Sequence, residues 1–457
     1  MYRQTLRKMA NRWACAGAIV SAIHLACAQS ARGEYAVFDL GSLVNTATGR
    51  NASVGAANAS SQVAMTNAPD GLAYRAFRFS AGSALDLGTL GGTDSFASGI
   101  NNAGQVAGRA KTAAGVTHAF VWTPGATDGI PANPQMKDLN PTGGVSQAYA
   151  INATGQIAGF LTVSGHPKDV DRAFRYSNGV ITQLPLPGNV DSTYAYAINS
   201  AGKIAGESYS GNSGTPHGFY YNGVSSVPLG DLGGGGSSGL AINDNDRVAG
   251  YSTTGDGVDH AFVYANGSMT DLGTLGGHYS YANGINNNNQ IVGGSFIDDA
   301  DNIFHAFLSD GASMIDLNSK LTAKAANWVL DEAKSINDKG VIVGVGSLSG
   351  QSHGFMLKPL TPGDANEDGK VSFADFQTLE LNFNQPGGWD QGDFNGDGVV
   401  DTLDLKLFLD HYVPSASMEE IASIQTFAAG AVPEPATLAL VVFGLQCLPR
   451  NRKSTRK

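Results

Sequence analysis

Cysteine is nearly missing from this chain. Of 457 residues only Cys15, Cys27 and Cys447 carry a thiol, and all three lie in the terminal segments. The body between them therefore has no disulfide, no thiolate metal site and no cysteine nucleophile, so packing and bound ions must hold it together. Charge is scarce as well, at 15% of residues, and it is lopsided: 28 Lys and Arg face 39 Asp and Glu, a formal net charge of −11. Nine positive charges and no acid sit in residues 1–28 and 436–457, so loss of both ends would take the charge to −20. A surface that acidic repels phosphate backbones, which argues against nucleic acid as a partner. Long apolar runs are lacking too. Trp13–Leu25 and Ala436–Leu448 have thirteen residues each, against the roughly twenty that a spanning helix needs. What is abundant is glycine, 60 in all, which with so few charges suits short strands and tight turns.

The middle of the chain is periodic. The pattern A-I-N-x-x-G-x-I-x-G recurs with its asparagine at Asn58, Asn101, Asn152, Asn199, Asn243, Asn286 and Asn337, at spacings of 43 to 51 residues. Each asparagine is followed by a short H-A-F element ending at Phe77, Phe120, Phe174, Phe219, Phe262, Phe307 or Phe355. A D-L-G element intervenes, as at Asp86–Gly88, Asp231–Gly233 and Asp271–Gly273, weakening to Asp138-Leu139-Asn140 and Asp316-Leu317-Asn318 and nearly lost at Leu184-Pro185-Leu186. Within one unit, Tyr281–Ile285, Gln290–Phe296, His305–Leu308 and Met314–Leu317 read as four strands separated by polar turns. Four short strands per period of 40 to 50 residues describe a propeller blade, and helical 3.6-residue periodicity is absent. The fold class expected is mainly β: a seven-bladed propeller of four-stranded blades over 35–360, followed by a small helical module. A lone Asp39-Leu40-Gly41 precedes the first unit, and the last unit lacks that element, so an N-terminal strand is expected to complete the last blade and remove the open edges. An open array of small sheets is the alternative.

These units resemble the HAF-repeat family of bacterial extracellular proteins, with D-L-G-T-L-G-G at Asp86–Gly92 and Asp271–Gly277 and H-A-F at His118–Phe120, His260–Phe262 and His305–Phe307. The resemblance implies an exported repeat protein and no particular chemistry. His118, His217, His260, His305 and His353 fill one slot, which Arg75 and Arg172 take elsewhere. A residue repeated in every blade is expected to hydrogen-bond across the strands of its own blade, since buried polar groups need partners. Irregular loops are better places to look for function. His166, Lys168, Asp169, Asp171 and Arg172 form one charged cluster, and Leu321–Ala333, with Trp328, reads as a helical turn. Neither shows a nucleophile beside a base at recognisable spacing.

Residues 361–413 carry two near-copies of G-D-x-N-x-D-G-x-V-x-x-x-D, 29 residues apart. In the first, Asp364, Asn366, Asp368, Ser372 and Asp375 fall at loop positions 1, 3, 5, 9 and 12, with the Lys370 carbonyl at 7 and Gly369 at the sharp turn. In the second, Asp393, Asn395, Asp397, Asp401 and Asp404 take those places, with the Val399 carbonyl and Gly398. Alternate oxygens aimed into one loop suit Ca2+, which takes six to eight oxygen ligands, so two calcium sites are expected. Asp in place of Glu at position 12, with one helix after each loop (Phe373–Leu381 and Leu403–His411), resembles a type I dockerin. That resemblance implies a cohesin-like protein partner and recognition pairs at Phe373-Ala374 and Thr402-Leu403.

Both ends read as address labels. A basic start, the apolar run and Ala26-Cys27-Ala28 describe a signal peptide over 1–28; a lipoprotein anchored through Cys27 is the rival, although His24 stands where it would want an aliphatic residue. After an expected linker at 414–431, Val432-Pro433-Glu434-Pro435, a short transmembrane stretch at 436–448 and five basic residues resemble a PEP-CTERM sorting segment. The resemblance implies an exosortase-type sorting enzyme, transient membrane contact and the extracellular side or cell surface of a two-membraned bacterium; the order of plug and cations is that of a stop-transfer.

Two functions remain open, beside a repeat array that serves only as a spacer. One is an exported binding protein, docked through calcium-loaded dockerin loops, whose propeller displays loops to a glycan or protein ligand. The alternative is a carbohydrate-active hydrolase or lyase on the propeller, which would want paired carboxylates about 5 to 10 Å apart. The acids outside the repeat pattern are Asp169, Asp171, Asp299 and Asp301. No catalytic residue is assigned.

Overall fold

The computed structural model describes residues 35–431 apart from 43, 46–49, 52, 61, 68–72, 81, 166–168, 212–213 and 413–417. The expected signal peptide at 1–28 and the expected sorting segment at 432–457 lie outside the described residues, as do His166 and Lys168. The described residues form two compact units: 37–320 with 327–358, and 35–36, 321–326 and 359–431.

In the first unit the described residues build seven four-stranded antiparallel sheets in chain order. Six are sequential meanders, as in blade 6: Ser280–Ile285, Ile291–Phe296, Phe304–Ser309 and Met314–Asp316. The seventh takes Trp328–Ile336, Ile342–Leu348 and Gln351–Pro359 and is completed by the N-terminal strand Tyr35–Ser42. The ring is closed as the lone Asp39-Leu40-Gly41 suggested, and the fold is a seven-bladed propeller. Leu321–Ala333 differs from its expectation. A 3-10 turn covers only Ala323–Ala325, and Trp328 already belongs to a strand.

The H-A-F phenylalanine is the centre of each blade. Phe120, Phe174, Phe219, Phe262, Phe307 and Phe355 are fully buried. Each faces a glycine on the second strand, as Phe120 faces Gly108 and Phe307 faces Gly293. A Cβ at either glycine would strike a first-strand carbonyl, that of Phe96 or Tyr281, and crowd the ring. Blade 1 has Met65 in that place, and its Phe77 is only half-buried.

The repeated asparagines, whose spacing marks the period, turn out to close the ring. Each buried asparagine donates from Nδ2 to the backbone carbonyl of its counterpart in the next blade: Asn58 to Asn101 (2.9 Å), Asn101 to Asn152 (3.1 Å) and Asn152 to Asn199 (2.9 Å). The series continues from Asn199 to Asn243 (3.1 Å), Asn243 to Asn286 (2.9 Å) and Asn286 to Asn337 (3.0 Å), and Asn337 returns to Asn58 at 2.7 Å. The Oδ1 atoms accept turn N–H groups of their own blade, as Asn286 does from Asn288 and Gln290. A second staple joins neighbours. Ser280, on the first strand of blade 6, accepts from the Ala261 N–H of blade 5 (2.8 Å) and donates to the Gly273 carbonyl (2.6 Å); Ser95 and Ser237 repeat the arrangement.

Four of the five histidines pair across strands of their own blades, while His217 is exposed in a blade whose slot holds Pro228 in place of the acid. His118 meets Asp138 (2.8 Å), His260 meets Asp271 (2.9 Å) and His305 meets Asp316 (2.8 Å), while His353 reaches Asp39 of the closing strand (2.9 Å). Blade 4 corrects the alignment of its D-L-G element. Phe219 faces Pro228, and the Leu229 N–H takes the Gly218 carbonyl just as Leu272 takes that of Ala261. The slot is therefore Pro228-Leu229-Gly230, three residues before Asp231–Gly233. In blade 3 the slot begins at Gln183, opposite Phe174.

The second unit is helical. Helix α1 (Phe373–Asn382) and helix α2 (Thr402–His411) each follow one calcium-type loop. Phe376, Leu379, Trp389, Phe394, Leu405 and Phe408 form the core. The segment expected as a linker at 414–431 instead holds helix α3 (Met418–Ala431), whose Ile424 and Ala428 are buried in that core, with Phe427 edge-on to Phe376 and Phe383 at 5.5 and 5.0 Å. Among the described residues no helix is long and apolar enough to cross a membrane.

Candidate functional site

The two loops have the same internal wiring. At position 1, Asp364 accepts the N–H of Asp368 (3.1 Å) and Gly369 (2.8 Å); Asp393 accepts those of Gly396 (2.8 Å), Asp397 (3.2 Å) and Gly398 (2.8 Å). At position 3, Asn366 and Asn395 accept the N–H of Asp368 and Asp397. At position 5, Asp368 and Asp397 accept those of Lys370 and Val399. At position 12, Asp375 pins both ends of its loop, taking the N–H of Asn366 (3.1 Å) and Ser372 (2.8 Å). Asp404 does the same with Phe394 (2.7 Å), Asn395 (3.0 Å) and Asp401 (2.8 Å). Each loop bends at a left-handed glycine, Gly369 at φ +85° and Gly398 at φ +92°, the conformation that position 6 demands. Ser372 donates to Asp375 from its hydroxyl, and Asp401 caps α2 by accepting from Leu403.

Four of these acids are buried, Asp364, Asp375, Asp393 and Asp404. Desolvation pushes the Asp404 carboxyl up to about 6, with Asp393 adding to the shift against three backbone N–H bonds that oppose it. Asp364 is raised for the same first cause, with Asp375 and Asp368 nearby. Crowded, buried carboxylates favour a bound cation, because a divalent ion replaces the lost hydration and cancels their repulsion. Among the described residues no three His, Cys, Asp or Glu side chains converge as a ready-made metal cage. The loops offer a different donor set, in which carboxylates alternate with amide, hydroxyl and backbone oxygens and no nitrogen or sulfur intrudes. That chemistry fits a hard cation such as Ca2+.

The expected recognition pairs are partly accessible. Ala374, Thr402 and Leu403 are exposed, whereas Phe373 is half-buried and leans on Phe376 at 5.6 Å. Three of the acids outside the repeat pattern hold local partners. Asp171 takes the hydroxyls of Thr162 and Tyr194 (2.7 Å each), Asp169 the Gly165 N–H, and Asp301 the His278 N–H and ring; Asp299 is exposed.

A feature that the sequence did not single out lies across blades 1 to 3. A cavity of about 630 Å³ is lined by Tyr74, Phe96, Phe160, Arg109, Lys111 and Gln147, with Asp94 beside Lys111. Phe96, Arg109, Lys111, Gln147 and Phe160 come from first and second strands of blades 2 and 3, and Tyr74 precedes the third strand of blade 1. The pairings Phe96 to Arg109 and Gln147 to Phe160 place them at the opposite end of the strands from the asparagine ring.

The fold and site thus define a closed propeller with a separate module built on two calcium-type loops. Residues 362–413 match the dockerin type I domain. Type I dockerins bind calcium and dock to cohesins, and dockerins occur in extracellular, cell-surface proteins. No curated protein matches the chain. Solved structures resemble it only loosely. They include an oligogalacturonate lyase in complex with manganese (10% identity, 72% of this chain and 98% of that one, TM-score 0.42). The acylaminoacyl peptidase of Pyrococcus horikoshii is another (10% identity, 70% and 52%, TM-score 0.41), and the chain spans about half of its length. TolB from Acinetobacter baumannii is a third (9% identity, 67% and 63%, TM-score 0.34).

Proposed function

We propose that this chain is an exported protein that docks through two calcium-loaded loops onto a cohesin-type receptor, while its propeller presents a ligand-binding face. The carrying observation is the duplicated wiring of the loops: two twelve-residue segments hold acids at the same positions through the same backbone bonds. In this reading Asp364, Asn366, Asp368, Ser372, Asp375 and the Lys370 carbonyl hold one ion. Asp393, Asn395, Asp397, Asp401, Asp404 and the Val399 carbonyl hold the other. Calcium supplies charge neutralisation there, and the protein's part is to fix the loops against α1 and α2. The H-A-F repeats and the Pro433-Glu434-Pro435 tail support export, with handling by an exosortase-type enzyme. No observation favours the hydrolase or lyase alternative.

The test is capture of the full chain by an immobilised type I cohesin. Binding is expected in calcium, with loss in chelator and in the double variant Asp364→Ala/Asp393→Ala. Capture that persists undiminished in chelator would sink the reading.

A further inference from the structure

We infer that the cavity across blades 1 to 3 is a binding site for an acidic saccharide, a short oligomer of uronic acid residues. The inference rests on the reading of the propeller as a display domain and assigns that display its ligand class.

Three observations carry it. The first is the aromatic lining. Tyr74 and Phe96 lie 4.9 Å apart, and Phe160 completes the aromatic part of the lining. Rings in a lining offer flat apolar surface to the C–H faces of sugar rings. The second is the cationic pair. Arg109 stacks over the Phe96 ring at 4.3 Å and is held by the Gln147 amide oxygen at 2.6 Å. No ion pair to a carboxylate is formed by Arg109 among the described residues. A guanidinium fixed in this way presents its remaining N–H groups as a fork, the geometry that matches a carboxylate. Lys111 stands two residues further along the same strand.

The third observation concerns the sugar hydroxyls. Asp94 lies 3.2 Å from Lys111 and is itself a cavity wall. A hydroxyl-rich ligand needs acceptors as well as donors, and Asp94 supplies acceptor oxygens beside the donors of Arg109 and Lys111. The tetranucleotide arm of the titration separates a sugar acid from a phosphate.

The experiment is calorimetric titration of the full chain, at constant calcium concentration, with tetragalacturonate, its fully methyl-esterified form and a thymidine tetranucleotide. The acid is expected to bind, with the ester at least about tenfold weaker, the difference a charge-assisted contact makes. Arg109→Gln is expected to weaken the acid by at least about tenfold and to leave the ester unchanged. Lys111→Gln, at a more exposed position, serves as the second variant where Arg109→Gln disturbs the near-ultraviolet dichroism. Equal affinity for acid and ester, tighter binding of the tetranucleotide, or no effect of either variant would overturn the inference. Binding of neutral oligosaccharides alone would sink the ligand class and keep the display reading. Binding of none of them would sink both, with cohesin capture still measurable on the same sample.

Discussion

At the scale of single residues, the asparagine of each unit does two jobs with one amide. Asn286 uses Oδ1 for the N–H groups of Asn288 and Gln290, and Nδ2 for the Gln290 side chain and the Asn337 carbonyl of the next blade. The isosteric change Asn286→Asp keeps the acceptor and removes the donor, facing a carboxylate with a backbone carbonyl. It is expected to destabilise the propeller by about 2–4 kcal/mol, comparable to Asn286→Ala, because a buried polar partner is left unpaired. Denaturant unfolding checks this; an Asp variant as stable as the parent would mean that the turn, not the ring, sets the requirement. The sequence shows these asparagines clearly as period marks. Their partners are invisible there, because the carbonyl that each one grips belongs to the next unit and carries no residue-type signature. The same holds for Ser280 and its equivalents. Histidine was more readable, since a residue repeated in one slot calls for a partner in its own blade, although the Asp lies 11 residues on from His260 and His305, 20 from His118 and 314 back from His353.

At the scale of elements, blade and loop were legible to different degrees. Strand positions follow from alternation between polar turns, which is why blade 6 lies within a residue or two of its reading. The D-L-G slot of blade 4 was displaced because Asp231-Leu232-Gly233 imitates it, and only strand register assigns Pro228 to the place opposite Phe219. Helix α3 was read as a linker because its apolar face makes sense only once the α1–α2 core exists to receive Ile424 and Ala428. The cavity of blades 1 to 3 was missed because Tyr74, Phe96, Arg109 and Phe160 come from three blades and no single unit shows the set. The dockerin-type pattern was legible, since its spacing is local. Its buried acids give a pH prediction. The Asp404 pKa of about 6 lies above its unfolded value, so without calcium the folded module holds a proton that the unfolded chain releases. Its stability is then greatest below about pH 4 and falls by up to about 3 kcal/mol as pH rises through 6. With calcium bound the sign reverses, because the ion requires the ionised carboxylates and acidification competes with it. Helicity of the chain, followed across pH 4 to 7 in chelator and in calcium, should show the two opposite slopes; parallel slopes would exclude Asp404 as a ligand.

At the scale of the whole molecule, closure is what distinguishes this propeller from a row of sheets. Six blades are complete within their own stretch of chain, but blade 7 waits for Tyr35–Ser42, and the bond from Asn337 to Asn58 spans 279 residues. An unclosed ring leaves two strand edges, and an exposed edge is a template for pairing with other chains. The closing strand also brings Asp39, which holds His353 at 2.9 Å and caps its own turn at Gly41 at 2.7 Å. Two changes separate the local bond from the closure. Asp39→Ala removes the pair and the cap and is expected to cost about 1–2 kcal/mol, felt mostly as faster unfolding. Deleting residues 35–42 removes the strand itself, and because every blade leans on its neighbours the loss does not stay in blade 7. The truncated chain is expected to lose its single cooperative propeller transition and to associate at concentrations where the parent stays monomeric. Light scattering and calorimetry on the two variants decide the matter: if the deletion costs no more than Asp39→Ala, the ring of asparagines alone closes the fold and the eight-residue strand Tyr35–Ser42 is dispensable.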